Sequence, residues 1–207
     1  MAEKRSVFER LDELTAFDYE FWSKGYMILG MDESGRGPLA GPVVAAGVVM
    51  QNDNFIYGID DSKKISEKKR EELFEIIVSE AVSIGIGIIE NDEIDRINIL
   101  NAARLAFEKA YRESSVKPEI VLTDYITGLE IEGYRAIKKG DSVSYSIAAA
   151  SIVAKVTRDR IMREYDEEFP EYGFSRHKGY GTKAHIEAIK RFGACRVHRL
   201  SFLKNIL

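Results

Sequence analysis

Hydrophobic and polar positions fall into blocks whose period changes along the chain. Residues 3–23 read as a helical lead-in. Tyr26 to Met31 (YMILGM) is a short apolar run, and Pro42 to Met50 (PVVAAGVVM) is a second, rich in valine. Continuous apolar runs of this length, bounded by Gly and Pro, predict buried strands. From Ser66 to Ser83 the period becomes helical: Ser66 is placed to cap, and Leu73, Ile76, Ile77 and Ala81 share a face. Ile84 to Glu90 (IGIGIIE) alternates Ile with Gly, which predicts a strand with a neighbour packed close over the glycines. Asp92 to Glu113 reads as one long helix with Ile94, Ile97 and Leu100 aligned. Glu119 to Thr123 (EIVLT) is a short strand that ends at Asp124, and Tyr145 to Glu168 is a long helix opening on small residues. Thr182 caps a last helix that Gly193 ends. Strands alternating with helices in this order predict an α/β fold, helices covering a mixed sheet.

At 207 residues, 45% of them hydrophobic, the chain suits one domain with a substantial core and a small appendage. Its single cysteine, Cys195, rules out an internal disulfide and makes a Cys-based zinc site improbable. There is no apolar signal segment and no apolar run of the ~20 residues needed to span a bilayer. The expectation is a cytoplasmic protein with no membrane association.

The formal net charge of −4 argues mildly against nucleic-acid binding until its distribution is considered. From Tyr172 onward the chain carries eight Lys or Arg against the single acid Glu187. An acidic body is thus joined to a basic tail, which also holds His177, His185 and His198. A charge run is usually only a solvated helix face. It gains meaning here if the acids of the body form a site.

Asp32 and Glu33 follow the apolar run Ile28 to Met31, and Asp124 follows EIVLT. Acids at buried strand ends are costly if charged and unpaired. The plain explanation of the first two is an exposed turn or a pairing with Arg36. Neighbouring strand residues face opposite sides, so both serve one site only if the chain turns there, and Gly35 and Gly37 supply a turn. Asp141, before the Ala-rich helix, is either a capping or turn residue or a further acid of the same rim. Converging carboxylates make a hard-oxygen site suited to Mg²⁺ or Mn²⁺. Such a pocket repels phosphates, so a nucleic-acid substrate requires basic and backbone donors around it. Gly35-Arg36-Gly37 and the basic tail are placed to supply them.

Taken together, these blocks resemble ribonuclease HII, the type 2 ribonuclease H family. The likeness runs from Met31 to Val49 (MDESGRGPLAGPVVAAGVV), through Asp61-Ser62-Lys63-Lys64 and Ile97 to Leu100. It continues at Asp124, Gly140 to Arg160, Tyr172 to His185 (YGFSRHKGYGTKAH) and His198 to Phe202. The resemblance implies a ribonuclease H-like fold, a five-stranded mixed sheet flanked by helices with a small C-terminal helical extension. It divides the chain into a lead-in (1–25), a catalytic domain (26–171) and a basic substrate-binding extension (172–207). It implies that Asp32, Glu33, Asp124 and Asp141 are catalytic and bind one or two Mn²⁺ or Mg²⁺ ions. Gly35, Arg36 and Gly37 match the turn that senses the ribose 2′-OH, the group that distinguishes RNA from DNA. Lys63 joins them as a substrate contact, and Tyr180 matches a tyrosine that packs on the sugar beside the ribonucleotide. Without the family, Tyr180 is only a tyrosine in a glycine-flanked loop.

The implied activity is endonucleolytic hydrolysis of the RNA strand of RNA–DNA hybrids. It extends to cutting 5′ of ribonucleotides embedded in duplex DNA, leaving 3′-OH and 5′-phosphate, by a monomer active in ribonucleotide removal and repair. Ser34, Val143 and Ala194-Cys195-Arg196 depart from the family pattern; none is one of the four acids. A junction resolvase of the same sheet type is the alternative, since it uses similar acids without 2′-OH sensing. A binding module whose acids are structural is a third reading.

Overall fold

The structure, a computed structural model, describes residues 6–207; the first residues of the helical lead-in lie outside them. The elements in chain order are α1 (Val7–Trp22), β1 (Ile28–Ser34), β2 (Val43–Val49), α2 (Glu67–Glu80) and β3 (Ser83–Ile89). Then follow α3 (Asn91–Ile97), α4 (Ile99–Arg112), β4 (Ile120–Asp124), β5 (Arg135–Ile137), a 3₁₀ turn (Gly140–Ser142) and α5 (Tyr145–Glu168). The tail holds α6 (Phe174–His177), α7 (Lys183–Phe192) and a last 3₁₀ turn (Leu200–Phe202).

The five strands form one sheet in the order β3-β2-β1-β4-β5. β1 and β2 are antiparallel, as are β2 and β3, whereas β4 lies parallel to both β1 and β5. Every residue of β2 is buried, which explains why it reads as an unbroken apolar run: both its faces are covered. On one face Ile28, Ala46, Val48 and Leu122 pack under α5, with Leu14 and Trp22 of α1 and Leu73 and Ile77 of α2. On the other, Leu29, Met31, Ala45 and Val121 pack under Ala102, Ala106 and Phe107 of α4. Burying a side chain the size of Leu29 or Phe107 contributes roughly 1.5–3 kcal/mol. A third cluster, Ala40, Met162, Phe174, Ile189 and Val197 among others, seats the tail on the body.

The glycines of β3 have the predicted close neighbour. A Cβ on Gly85 or Gly87 would lie 2.0 Å from the carbonyl oxygen of Ala110 or Ala106, so α4 rests on the bare strand. The caps at Ser66 and Thr182 form, each accepting a backbone N–H three residues on.

Four expectations change. The single helix over 92–113 is two, broken at Asn98, whose φ is +67° and whose side chain caps α4 through the N–H groups of Leu100 and Asn101. Ile76 and Leu100 stay exposed, because the helical faces that bury Leu73 with Ile77, and Ala102 with Ala106, exclude them. β5 spans only three residues, too few for a periodic signal, and the sequence pattern gave no sign of it. β1 does not stop at Met31: it continues through Asp32 and Glu33 to Ser34, held by pairing with Ala46, Ala45 and Val44.

No described helix is long and apolar enough to cross a membrane.

Candidate active site

Register places the first two acids. Met31 of β1 pairs with Thr123 of β4, so Asp32 and Asp124 stand side by side one residue further along adjacent parallel strands. Ile28 and Leu122 face α5; by strand alternation Asp32 and Asp124 do too. Gly30 allows α5 to reach them. A Cβ there would meet the Ser146 carbonyl carbon at 2.2 Å, so any other residue would lift the start of α5 off the strand. The 3₁₀ turn before α5 carries Asp141, and its Gly140 N–H donates to Asp124 Oδ1 at 2.7 Å. Strand end, turn and helix start therefore bring Asp32, Asp124 and Asp141 to one rim. Glu33 alternates to the other side of β1 but sits at the same edge, where Arg36 pairs with it at 3.4 Å. The expected turn between the two acids is absent; edge position, not a turn, brings both there.

The electrostatics are those of crowded acids. Burial, with Glu33 and Asp124 nearby, holds the Asp32 carboxyl well above the usual carboxylate range. Burial also raises Glu33, with Arg36 opposing and Asp124 adding to the rise. Burial raises Asp141, against the pull of Lys63. The Lys63 ammonium lies 3.2 Å from Asp141 Oδ2. Desolvation disfavours its charge, yet Asp141 and Asp32 raise its pKa overall. A cleft of about 500 Å³ opens here, where Lys63, Lys64, Lys138 and Lys139 surround Asp124 and Asp141. A larger cavity of about 720 Å³, beside α1 and α2, contains none of the four acids.

The donor set suits a hard divalent cation: four carboxylates, and no His or Cys among them. Among the described residues, no three potential ligands are already at ligand spacing. Each acid instead faces a local donor: the Glu33 N–H for Asp32, Arg36 for Glu33, the Gly140 N–H for Asp124 and Lys63 for Asp141. A cation relieves the repulsion that these donors only partly offset, and the residues fit it.

The Gly35-Arg36-Gly37 turn is held from below by two arginines that sequence reasoning missed as structural parts. Arg158 and Arg199 are fully buried. Arg199 donates to the carbonyls of Gly35, Arg36, Pro38, Gly41 and Pro42 at 2.7–3.1 Å. Arg158 donates to Ala40, Pro42 and Lys178. In a trans peptide C=O and N–H point opposite ways. With the Gly35 and Arg36 carbonyls drawn inward onto Arg199, the N–H groups of Arg36 and Gly37 point outward as adjacent donors. Tyr180 completes this side: it is 44% exposed, and a Cβ on Gly37 would touch its ring at 3.6 Å.

Arg199 belongs to the tail whose charge was expected to face substrate. That expectation needs correcting: Arg199 and Lys178 are buried, and Arg196 pairs with Glu168. Arg176, Lys183, Lys190, Arg191 and Lys204 remain exposed. The signal available in sequence was position: Arg199 follows His198 directly, in a block that ends on apolar Leu200 and Phe202.

A mixed sheet with acids at the ends of its central parallel strands is the architecture of a ribonuclease H-like nuclease. The ribonuclease H2 of Pyrococcus horikoshii OT3 superposes with a TM-score of 0.72 at 27% identity, covering 84% of this chain and 93% of that one. The family model for ribonuclease HII matches residues 29–205. Ribonuclease HII of Clostridioides difficile strain 630 is 56% identical over 206 residues, 98% of this chain and 80% of that protein. Ribonuclease HII of Caldicellulosiruptor bescii is 48% identical over 211 residues, 100% of this chain and 98% of that protein. The chain belongs to the ribonuclease HII family, endoribonucleases that act on RNA–DNA hybrids. A junction resolvase is not favoured.

Proposed function

We propose that the acid rim and the Gly35–Gly37 turn act as one site that hydrolyses the phosphodiester on the 5′ side of a ribonucleotide, including one embedded alone in duplex DNA. The observation that carries this is that the strand end and the turn are contiguous. The residues that would bind charge (Asp32, Glu33) run directly into those that would read the sugar (Gly35, Arg36, Gly37), and Tyr180 lies against the latter.

Asp32, Glu33, Asp124 and Asp141 hold one or two divalent cations, Mn²⁺ or Mg²⁺. When bound, such ions supply Lewis-acid polarisation and neutralise charge on the reacting phosphate. The outward N–H groups of Arg36 and Gly37 bind oxygen acceptors of the substrate at the 2′-OH and its neighbouring phosphate. Arg36 and Lys63, both on the rim, offset the repulsion between the acids and the strand. Tyr180 packs on the adjacent sugar and excludes water from that side. Water oxygen bonds to phosphorus as the bond to the upstream 3′ oxygen breaks; that oxygen takes up a proton, leaving 3′-OH and 5′-phosphate. We take the acting species to be a monomer. We place it in the cytoplasm, removing ribonucleotides from DNA.

The test is a duplex carrying one ribonucleotide beside an all-DNA duplex of equal length, each with Mg²⁺ or Mn²⁺. The expected result is a single cut 5′ of the ribonucleotide and an intact DNA control. Cleavage of both would overturn the proposal.

A further inference from the structure

The three histidines of the tail lie together, away from the acids, and face the loop that carries Tyr180. His185 Nδ1 is 3.0 Å from the Tyr180 carbonyl oxygen, and its Nε2 is 3.1 Å from Nε2 of His198. His198 Nδ1 is 3.0 Å from the backbone nitrogen of Cys195 and 3.1 Å from its Sγ, whose S–H can also donate to it. His177 stacks on His185 with ring centroids 4.4 Å apart. Its Nδ1 is 3.2 Å from the Gly179 nitrogen and its Nε2 2.9 Å from the Tyr172 carbonyl.

These partners leave no freedom of tautomer. A backbone N–H only donates and a carbonyl only accepts. His198 Nδ1 faces an N–H, so it is bare, and its proton is on Nε2. His185 Nδ1 faces a carbonyl, so it carries the proton, and its Nε2 is bare. The two rings therefore meet donor to acceptor. The two ends of the pair, at Cys195 and Tyr180, independently demand the same direction. By the same logic His177 is protonated at Nε2. Burial acts in the same sense, holding all three below the usual histidine range, His185 at about 4.

We infer that His185 and His198 are positioning residues for the ribonucleotide-reading side of the site. A directional chain from the Cys195 N–H through His198 and His185 to the Tyr180 carbonyl fixes Tyr180 against Gly37. The rest of the loop has matching restraints. Arg158 holds the Lys178 carbonyl, His177 the Gly179 nitrogen, and the Leu39 N–H the Gly179 carbonyl. The Tyr180 carbonyl also accepts from the Thr182 N–H at 2.8 Å, a bond within the loop itself; without the His185 bond it loses its tie to the buried histidines, and its ring loses a fixed height over the turn. This inference rests on the proposed role of Tyr180 as a sugar contact.

Two measurements test it. In long-range ¹H–¹⁵N spectra of the whole protein at neutral pH, His185 should be protonated at Nδ1 only, and His177 and His198 at Nε2 only. A His185 protonated at Nε2, or charged, would overturn the chain. In kinetics on the single-ribonucleotide duplex, His185→Leu should lower kcat/KM by about three- to tenfold, the range expected for one lost hydrogen bond. His185→Asn, whose side-chain amide replaces the Nδ1 donor, should recover to within about twofold. In the Tyr180→Ala background, His185→Leu should cost nothing further. A purely structural role predicts the same factor in both backgrounds, and that outcome refutes positioning. If Tyr180→Ala is effective and His185→Leu silent, the inference alone fails. If Tyr180→Ala is itself silent, the sugar-contact role fails and the inference with it. Should His185→Leu not fold, His198→Leu against His198→Gln, which keeps a donor at the Nε2 position, makes the same comparison.

Discussion

The guanidinium of Arg199, near the end of the chain, donates to the carbonyl of Gly35 at 2.7 Å, across 164 residues of sequence. With four further carbonyls on the same group, it ties the tail to the turn beside the acids. Among the described residues no carboxylate forms a salt bridge with it, and Asp95 opposes the shift only at longer range; burial pushes its pKa down to about 9. A buried cation with carbonyl partners is stable only when its donors are all placed, and the flat five-donor guanidinium does this where an ammonium does not. Arg199→Lys should therefore cost roughly 2–5 kcal/mol in urea unfolding. It should also lower kcat/KM on a ribonucleotide substrate, since the N–H groups of Arg36 and Gly37 lose their orientation. A stability loss under about 1 kcal/mol would show that the clamp is dispensable.

The two glycines of the turn should separate in experiment. Gly35 has φ +104°, and a Cβ there would lie 2.2 Å from Nε of Arg158, so Gly35→Ala should destabilise the fold. Gly37 lacks both constraints: its φ is not positive, and its nearest neighbour is the Tyr180 ring at 3.6 Å. Gly37→Ala should melt within a few degrees of the wild type and still lose cleavage, because the added methyl lies where substrate backbone must approach. Equal melting and equal activity for the two variants would contradict this division.

The sequence treated those glycines alike, and the reason is physical. A Gly-x-Gly pattern reports permission for close approach but not which partner approaches. Here one partner is an arginine 123 positions away in sequence and the other is proposed to be the substrate. The elements legible in advance were those with a local signal: the buried run of β2, the glycines of β3, and the caps at Ser66 and Thr182. β5 was not, because three residues carry no period. The Asn98 break was not, because Ile94, Ile97 and Leu100 preserve an apparent helical face across it. Asp32, Glu33 and Asp124 were recognisable as acids at strand ends. Their convergence depends on the β1–β4 register and on Gly30, and both are tertiary facts. Arg199 was visible as charge, but only packing shows that its charge points inward.

The acid rim makes a prediction about metal. Mn²⁺ or Mg²⁺ should raise the melting temperature, since binding only the folded state stabilises it by ~2.7 kcal/mol at a hundredfold excess over Kd. Asp124→Asn can still accept from the Gly140 N–H but lacks the charge. It should abolish both the metal-induced shift and cleavage without lowering the metal-free melting temperature, because one source of repulsion on Asp32 is gone. Full activity in this variant would sink the metal assignment, and a metal shift equal to the wild type would remove Asp124 from the ligand set.

Two buried groups should tilt stability in opposite directions between pH 4 and 6.5. Asp18 of α1 accepts from the Ser146 N–H at 2.8 Å and its hydroxyl at 2.7 Å, docking α1 onto the start of α5. Burial, only partly offset by Ser144 and Ser146, raises it to about 6. The folded state then keeps a proton that the unfolded chain releases near its ordinary carboxyl value. Its contribution is full below that value and is lost as pH rises toward 6. His185 behaves inversely. Its surroundings are Phe174, His177, His198 and the Tyr180 carbonyl, and burial lowers it to about 4. The unfolded chain takes up a proton near the ordinary histidine value that the folded state refuses, so this contribution is lost as pH falls. Melting temperatures of Asp18→Asn relative to wild type should therefore climb as pH rises from 4 to 6. Those of His185→Asn relative to wild type should fall over the same range. A flat difference for either variant means that the group does not titrate as its burial requires.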